Sequence, residues 1–277
     1  MKKNKSGTLL LVLVFFLGLS VMLYPTVSDA INRRHQSYAV SNYTQQVDNM
    51  TAADYSVWFD AADRFNAAIA ADPEALYHPD RFPAYDATLD ITGTGIMGYI
   101  TIPRINVELP IYHGTGDAVL QSGAGHLEGT SLPVGGESTH AVISAHRGLP
   151  RAKLFTHLDQ LEVGDTFTVT VLDRVLTYEV DKITIVLPTE VEDLKVVEGR
   201  NYLTLMTCTP YGINTHRLLV RGTRIENEPQ AQTVRVTSDA VQIEPLLVAP
   251  VLAAPVLLIL LLVLLLPGKQ KRKKEED

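Results

Sequence analysis

Tyr202-Leu203-Thr204-Leu205-Met206-Thr207-Cys208-Thr209-Pro210-Tyr211-Gly212 is the stretch on which the reading of this chain turns. Its first six residues are apolar or β-branched and carry the composition of a strand, and Thr209-Pro210-Tyr211-Gly212 carries that of a loop. Cys208, the single cysteine of the chain, therefore stands at a strand end. Side chains at strand ends are presented to solvent or to a ligand, whereas an inert cysteine behaves as a small hydrophobe inside an element.

Outward from this strand, similar short runs recur: Tyr99 to Ile102, Val107 to Tyr112, Ala141 to Ser144, Thr166 to Val171, Leu176 to Ile185, and Leu218 to Ile225. Brief helical patches interrupt them around Ala152 to Leu158 and Val191 to Lys195. Many short strands with turn residues between them predict a mainly β fold, a barrel or a sandwich, rather than alternating βαβ units. Before Gly93 the pattern differs. Tyr38 to Ala71 spaces Val47, Met50, Tyr55, Trp58 and Phe59 at mostly helical intervals, which predicts one or two amphipathic helices. Asp72 to Asp90 then combines Pro73, Pro79 and Pro83 with Tyr77, Phe82 and Tyr85, a loop with adhesive side chains that is placed to cover something.

Two apolar runs flank this region. Leu9 to Leu23 comes after Lys2, Lys3 and Lys5 and reads as a signal-peptide core or a short anchor; either implies export of the region C-terminal to it. Leu246 to Leu266 has no charge and the roughly 20 residues needed to span hydrocarbon, with Lys269, Lys271, Arg272, Lys273 and Lys274 behind it. The expected organisation is a cytoplasmic basic end at 1–7 and an anchor at 8–24, then a helical extension with a possible lid at 25–92. A barrel at 93–228, a linker at 229–245, a transmembrane helix at 246–266 and a cytoplasmic tail at 267–277 complete it. The net charge is −7; setting aside +3 at one end and +2 at the other leaves −12 outside. An acidic domain without a basic stripe excludes nucleic acid as a partner and leaves proteins and the membrane. An exported domain with one cysteine holds together without internal disulfides, so its core must suffice.

A cysteine nucleophile acts as a thiolate and needs a base or a positive neighbourhood. Of eight histidines, His146 closes the run Ala141 to Ser144 and precedes the turn Arg147-Gly148-Leu149-Pro150, so it too stands at a strand end. His140, at the start of the same run, and His216, close to the cysteine in sequence, are its rivals. Acyl transfer also needs donors for an oxyanion. Arg217 opens the run after the cysteine loop and would be folded back beside Cys208 by a hairpin; otherwise it is an ordinary surface arginine.

Thr204-Leu205-Met206-Thr207-Cys208 resembles the Thr-Leu-x-Thr-Cys signature of the sortases, with an arginine nine positions downstream and a histidine on an earlier strand. Gly98-Tyr99-Ile100-Thr101-Ile102-Pro103, Gly125-His126-Leu127-Glu128-Gly129, Ser144-Ala145-His146-Arg147-Gly148 and Thr209 to Arg217 are similar to the class C, pilus-assembling branch. The resemblance spans about 95 to 225. It implies an eight-stranded β-barrel, Cys208 as nucleophile, His146 as proton-transferring partner and Arg217 as stabiliser of substrate or oxyanion. It further implies cleavage after threonine in an LPxTG-like sorting signal and transfer of the acyl group to a lysine of another pilin subunit, without any cofactor. Pilus sortases often carry a lid in which Asp-Pro precedes an aromatic residue; here Glu74 comes directly after Asp72-Pro73, so either Tyr77 or Phe82 substitutes or the lid is more mobile or absent.

Competing expectations are a sortase that attaches proteins to peptidoglycan, an exported cysteine endopeptidase with the same Cys and His, and a surface scaffold. The last is disfavoured because Gln242-Ile243-Glu244-Pro245, ahead of the apolar tail, offers no LPxTG-like pentapeptide. No HExxH, CxxC or Walker-type loop points to a metal or nucleotide.

Overall fold

A computed structural model describes residues 5–227. The chain divides into two compact units, and one of them, Asp29–Val234, contains the whole barrel. Helix α1 spans Lys5–Asp48, and its portion from Val12 onward is long and apolar enough to cross a membrane. The expected second apolar span at 246–266 lies outside the described residues.

The helical region ahead of the barrel resolves into the end of α1 and helix α2, Ala52–Ala71. They separate at Met50-Thr51, where the Thr51 side chain accepts from Asp54 N–H and the Asp54 carboxylate accepts from Thr51 N–H. This reciprocal cap satisfies two backbone donors that a helix start leaves open. Tyr43 of α1, buried, donates to Met97 O at 3.1 Å and accepts from Leu172 N–H at 2.8 Å. Asn66 of α2 binds both backbone groups of Leu132, at 3.1 and 2.7 Å. The extension is therefore fastened to the barrel by polar groups whose burial would be costly without these partners.

Eight strands come next: β1 Ile96–Ile102, β2 Val107–His113, β3 Ala124–His126, β4 Thr139–Ser144, β5 Thr166–Val171, β6 Arg174–Val186, β7 Asn201–Thr209 and β8 His216–Ile225. They close into a barrel in the order β1-β2-β3-β4-β7-β8-β6-β5, with β5 returning to β1. The expected mainly β, closed, eight-stranded fold is the one found. The predicted helical patches are smaller than expected, a 3-10 turn at Leu158–Gln160 and another at Glu192–Leu194. Strand β3 has no counterpart among the predicted runs, because three residues with a central glycine carry no periodic signal. Gly125 is required there: a Cβ would lie 2.2 Å from Gly114 O.

Along β7, Leu203 and Leu205 are fully buried in the barrel core with Ile143 of β4 and Val220 of β8. Met206 belongs to a separate apolar cluster on the opposite face, with Val142, Leu194 and Leu219. Because strand side chains alternate, Thr204, Met206 and Cys208 share the outer face with Val142 and Ser144 of β4.

Candidate active site

Strands β4 and β7 are parallel, an arrangement that brings their C-terminal ends to the same rim of the barrel. Val142 pairs with Thr204 and Ser144 with Met206, and His146 and Cys208 each lie two residues beyond that last pair. The pairing persists past the end of β4: Ala145 N–H donates to Met206 O at 3.2 Å, and Thr207 Oγ1 donates to Ala145 O at 2.7 Å. On the other side β7 and β8 are antiparallel, and Cys208 pairs directly with Arg217. Leu219, two residues along β8, lies in the outer cluster, which puts Arg217 on that same face. The three candidate residues are thus brought to one rim, Cys208 and Arg217 as a pair on adjacent strands and His146 on the segment two residues past the end of β4.

Cys208 is half-buried. Among the described residues neither its sulfur nor the ring of His146 has a hydrogen-bond partner, so both are free toward a ligand. Backbone contacts fix the His146 segment instead: Phe155 N–H donates to His146 O at 3.1 Å, and Gly148 N–H donates to Thr156 Oγ1 at 3.1 Å. Gly148 has φ +77°, and a Cβ there would sit 2.9 Å from the Tyr211 ring, so this turn and the cysteine loop are in close contact. Arg217 Nη1 donates to Asn214 O at 3.3 Å and His216 O at 3.1 Å. No carboxylate lies within 4.0 Å of Arg217 among the described residues, so its charge is not neutralised by an ion pair.

The rival histidines have other occupations. His140 is buried, with Nδ1 facing Lys195 O at 2.9 Å and Nε2 facing the Thr204 hydroxyl at 2.7 Å. Burial, partly opposed by the Lys195 carbonyl, lowers its pKa to about 4, so it is a neutral structural group. His216 is part of β8 and pairs with Thr209; its Nδ1 lies 2.9 Å from Thr215 Oγ1. His216 opens β8, but it pairs with Thr209 rather than Cys208, and alternation turns it to the face opposite Arg217.

Sequence reasoning did not single out the apolar ground beside the three residues. Val142, Met206 and Leu219 form a floor, Leu194 caps it, and Leu76 packs against it from the segment after α2. Only the tertiary pairing of β4, β7 and β8 makes this surface. The aromatic residues of that segment are not part of this cluster. Tyr77 is exposed, Phe82 packs on Phe65 with ring centroids 5.8 Å apart, and Tyr85 is buried. Tyr85 Oη lies 2.9 Å from His126 Nδ1 and accepts from Gly114 N–H at 2.9 Å. Ala75 is also buried, and a Cβ on Gly129 would sit 2.4 Å from its carbonyl oxygen. Arg81 and Asp72 pair at 3.0 Å across the base of the segment.

A closed eight-stranded barrel that carries a cysteine, a histidine and an arginine at one rim has the side-chain set that thiol-based acyl transfer uses. Residues 100–225 match the family described as "Sortase domain", a range that includes all three. Among solved structures, the chain is similar to sortase C1 from Streptococcus agalactiae, with 47% identity and a TM-score of 0.64, covering 69% of this chain and all of that one. It is also similar to sortase C of Streptococcus pneumoniae, with 45% identity and a TM-score of 0.63, covering 69% of this chain and 97% of that one. Among curated proteins, sortase A of Streptococcus agalactiae serotype III (strain NEM316) is 34% identical over 117 residues, 41% of this chain and 47% of that protein. Sortase D of Bacillus subtilis (strain 168) is 31% identical over 131 residues, 46% of this chain and 63% of that protein. The chain thus spans less than two thirds of the length of these two curated relatives. The chain belongs to the sortase family, whose members are cysteine transpeptidases acting on surface proteins with sorting signals, and the solved structures it resembles are sortases C.

Proposed function

We propose that this chain is a membrane-anchored pilus sortase: it cleaves an LPxTG-like sorting signal after threonine and joins the acyl group to a lysine amine of another pilin. The observation that carries this reading is the convergence on one rim of Cys208, His146 and Arg217 through the parallel β4–β7 and antiparallel β7–β8 pairings. The Cys208 thiolate attacks the threonine carbonyl carbon, and Arg217, with no carboxylate partner among the described residues, stabilises the oxyanion. The C–N bond then breaks as His146 gives a proton to the departing glycine amine, leaving a thioester on Cys208. A neutral lysine amine attacks the thioester, His146 takes up the proton, and the thiolate departs as the isopeptide forms. The pneumococcal sortase C, described with pilin substrate specificity, supports the choice of acceptor.

The domain organisation supports a stationary enzyme that works on passing substrates, with residues 8–24 as one anchor and 246–266 as a second. The segment 72–90 acts as a lid whose plug is Leu76, an aliphatic side chain on the apolar floor, in place of an aromatic residue after Asp72-Pro73.

The test uses the full-length chain in detergent micelles with an LPxTG peptide. The expected result is a thioester adduct on Cys208 detected by mass, absent in Cys208→Ala, and a cleavage rate reduced by about 10³-fold or more in His146→Ala. Undiminished cleavage by Cys208→Ala overturns the assignment. Adding a lysine-bearing pilin fragment separates transfer from hydrolysis: an isopeptide product is expected, and release of free acid alone would indicate an endopeptidase.

A further inference from the structure

Backbone pairing between β4 and β7 runs out one residue past Ser144–Met206, at the Ala145 N–H bond to Met206 O, so His146 rides on a segment that is already leaving the sheet. The Phe155 and Gly148 contacts hold this segment to the connection after β4, and neither ties it to β7. Side chains on the far side of β7 supply that tie. On β7 side-chain alternation puts Thr207 and Thr209 opposite in sense to Cys208, and both hydroxyls meet the segment that comes after β4. Thr207 Oγ1 holds Ala145 O, and one residue pair further on Arg147 Nη1 donates to Thr209 Oγ1 at 3.0 Å. Residues 147 and 209 come immediately after the candidate base and the candidate nucleophile. The second guanidinium nitrogen of Arg147, Nη2, donates to Asp159 Oδ2 in the connection after β4, which fixes the fork from behind.

The Arg147 side chain is only 9% exposed, and Thr209 is buried. Arg147 Nε is buried without a hydrogen-bond partner among the described residues. An arginine held in this way bears a desolvation cost that an apolar side chain of similar size would avoid. Packing alone does not account for it; a directional donor reaching across to β7 does.

We propose that Arg147 and Thr209 form a side-chain clamp that continues the β4–β7 register past the end of the ladder and sets the distance between His146 and Cys208. Arg147 is a positioning residue: it lies behind the reacting face and acts through the two side chains in front of it. The inference rests on the reading that His146 and Cys208 work as a pair. A displacement on the order of 1 Å between two such groups lowers turnover about a hundredfold without loss of substrate binding.

The decisive comparison is Thr209→Val, which keeps the shape and removes the hydroxyl, against Thr209→Ser, which keeps the hydroxyl, in the full-length chain in detergent micelles. Two quantities are read: steady-state kcat and KM with an LPxTG peptide, and the pH dependence of Cys208 alkylation by iodoacetamide. Thr209→Val is expected to lower kcat about tenfold to a hundredfold with KM held within about twofold. Its alkylation profile is expected to move toward that of His146→Ala, while Thr209→Ser retains both wild-type values and Arg147→Met behaves as Thr209→Val does. A Thr209→Val enzyme with wild-type kcat and alkylation profile overturns the clamp, as does a kcat loss shared equally by Thr209→Ser. His146→Ala keeps the two ideas apart. If its alkylation profile coincides with that of the wild type, the His146–Cys208 pair itself fails; if it differs while Thr209→Val does not, only the clamp fails.

Discussion

His140 and His126 are buried imidazoles on the strands that lead to the rim, and each has its two ring nitrogens facing chemically different partners. His140 meets a carbonyl and a hydroxyl. His126 meets the Ser131 carbonyl at Nε2 and the Tyr85 hydroxyl at Nδ1. A neutral ring donates once and accepts once, which these surroundings satisfy. Burial lowers both pKa values from an ordinary 6.5 to about 4. Unfolding lets each ring take up a proton near its ordinary value, so the unfolded chain binds more protons than the folded one below about pH 6.5. The stability from neutral burial is therefore fully present above pH 6.5 and is lost as pH falls toward 4, by about 3 kcal/mol for each histidine. Thermal unfolding measured from pH 7.5 to 4 should show this decline, and His140→Gln should shallow it by removing one of the two proton uptakes; an unchanged slope would contradict the assignment. Cys208, His146 and Arg217 were legible at this scale because each stands where a strand meets a turn. The occupations of His140 and His126 were not, since their partners Lys195 and Tyr85 lie 55 and 41 residues away.

At the scale of elements, the strand runs could be read from composition, and their neighbours could not. No local signal tells β4 to pair in parallel with β7 across the intervening β5 and β6, although this pairing builds the site. Two glycines show what such pairings demand. At Gly98 in β1 a Cβ would lie 2.3 Å from Thr170 O of β5, so Gly98→Ala must push apart the seam that closes the barrel. A loss of about 1–3 kcal/mol is expected in denaturant unfolding. Gly129 makes the same close approach to Ala75, in the segment proposed as a lid, and has φ +77°. Leu76→Asp tests the lid with less disturbance to the barrel, because it places a charge on the apolar floor. Peptide cleavage should rise about threefold or more as the segment leaves the floor, at a cost on the order of 1–2 kcal/mol in lid contacts. An unchanged rate would mean that the segment does not control access. Substitution is preferable to removing the segment through Tyr85, since that ring is held by His126 and Gly114 and belongs to the core.

For the whole molecule, the proposed function holds the barrel outside a membrane between two apolar runs, an arrangement that the charge pattern of the sequence predicts. Lys2, Lys3 and Lys5 precede the first run, and five basic residues between Lys269 and Lys274 come after the second. Positive residues flanking a span stay on the cytoplasmic side, so each run independently predicts the same orientation and the acidic region between them faces outward. Neither apolar run could have been located from the barrel, whose sheet is closed and whose buried hydrophobic residues, among the described residues, run from Val40 to Val220. The single native cysteine makes the orientation measurable. In a Cys208→Ala background, one new cysteine is placed at Lys3, at the exposed Asp60 of α2, or at Lys271, and intact cells are treated with a membrane-impermeant maleimide. Asp60→Cys should label at once, whereas Lys3→Cys and Lys271→Cys should label only after permeabilisation. Labelling of Lys271→Cys on intact cells would place the basic tail outside and remove the second anchor from the scheme. Failure to detect Lys3→Cys in a chain that still labels at Asp60→Cys would show that the first apolar run is cleaved, leaving the second to hold the enzyme at the surface where its substrates emerge.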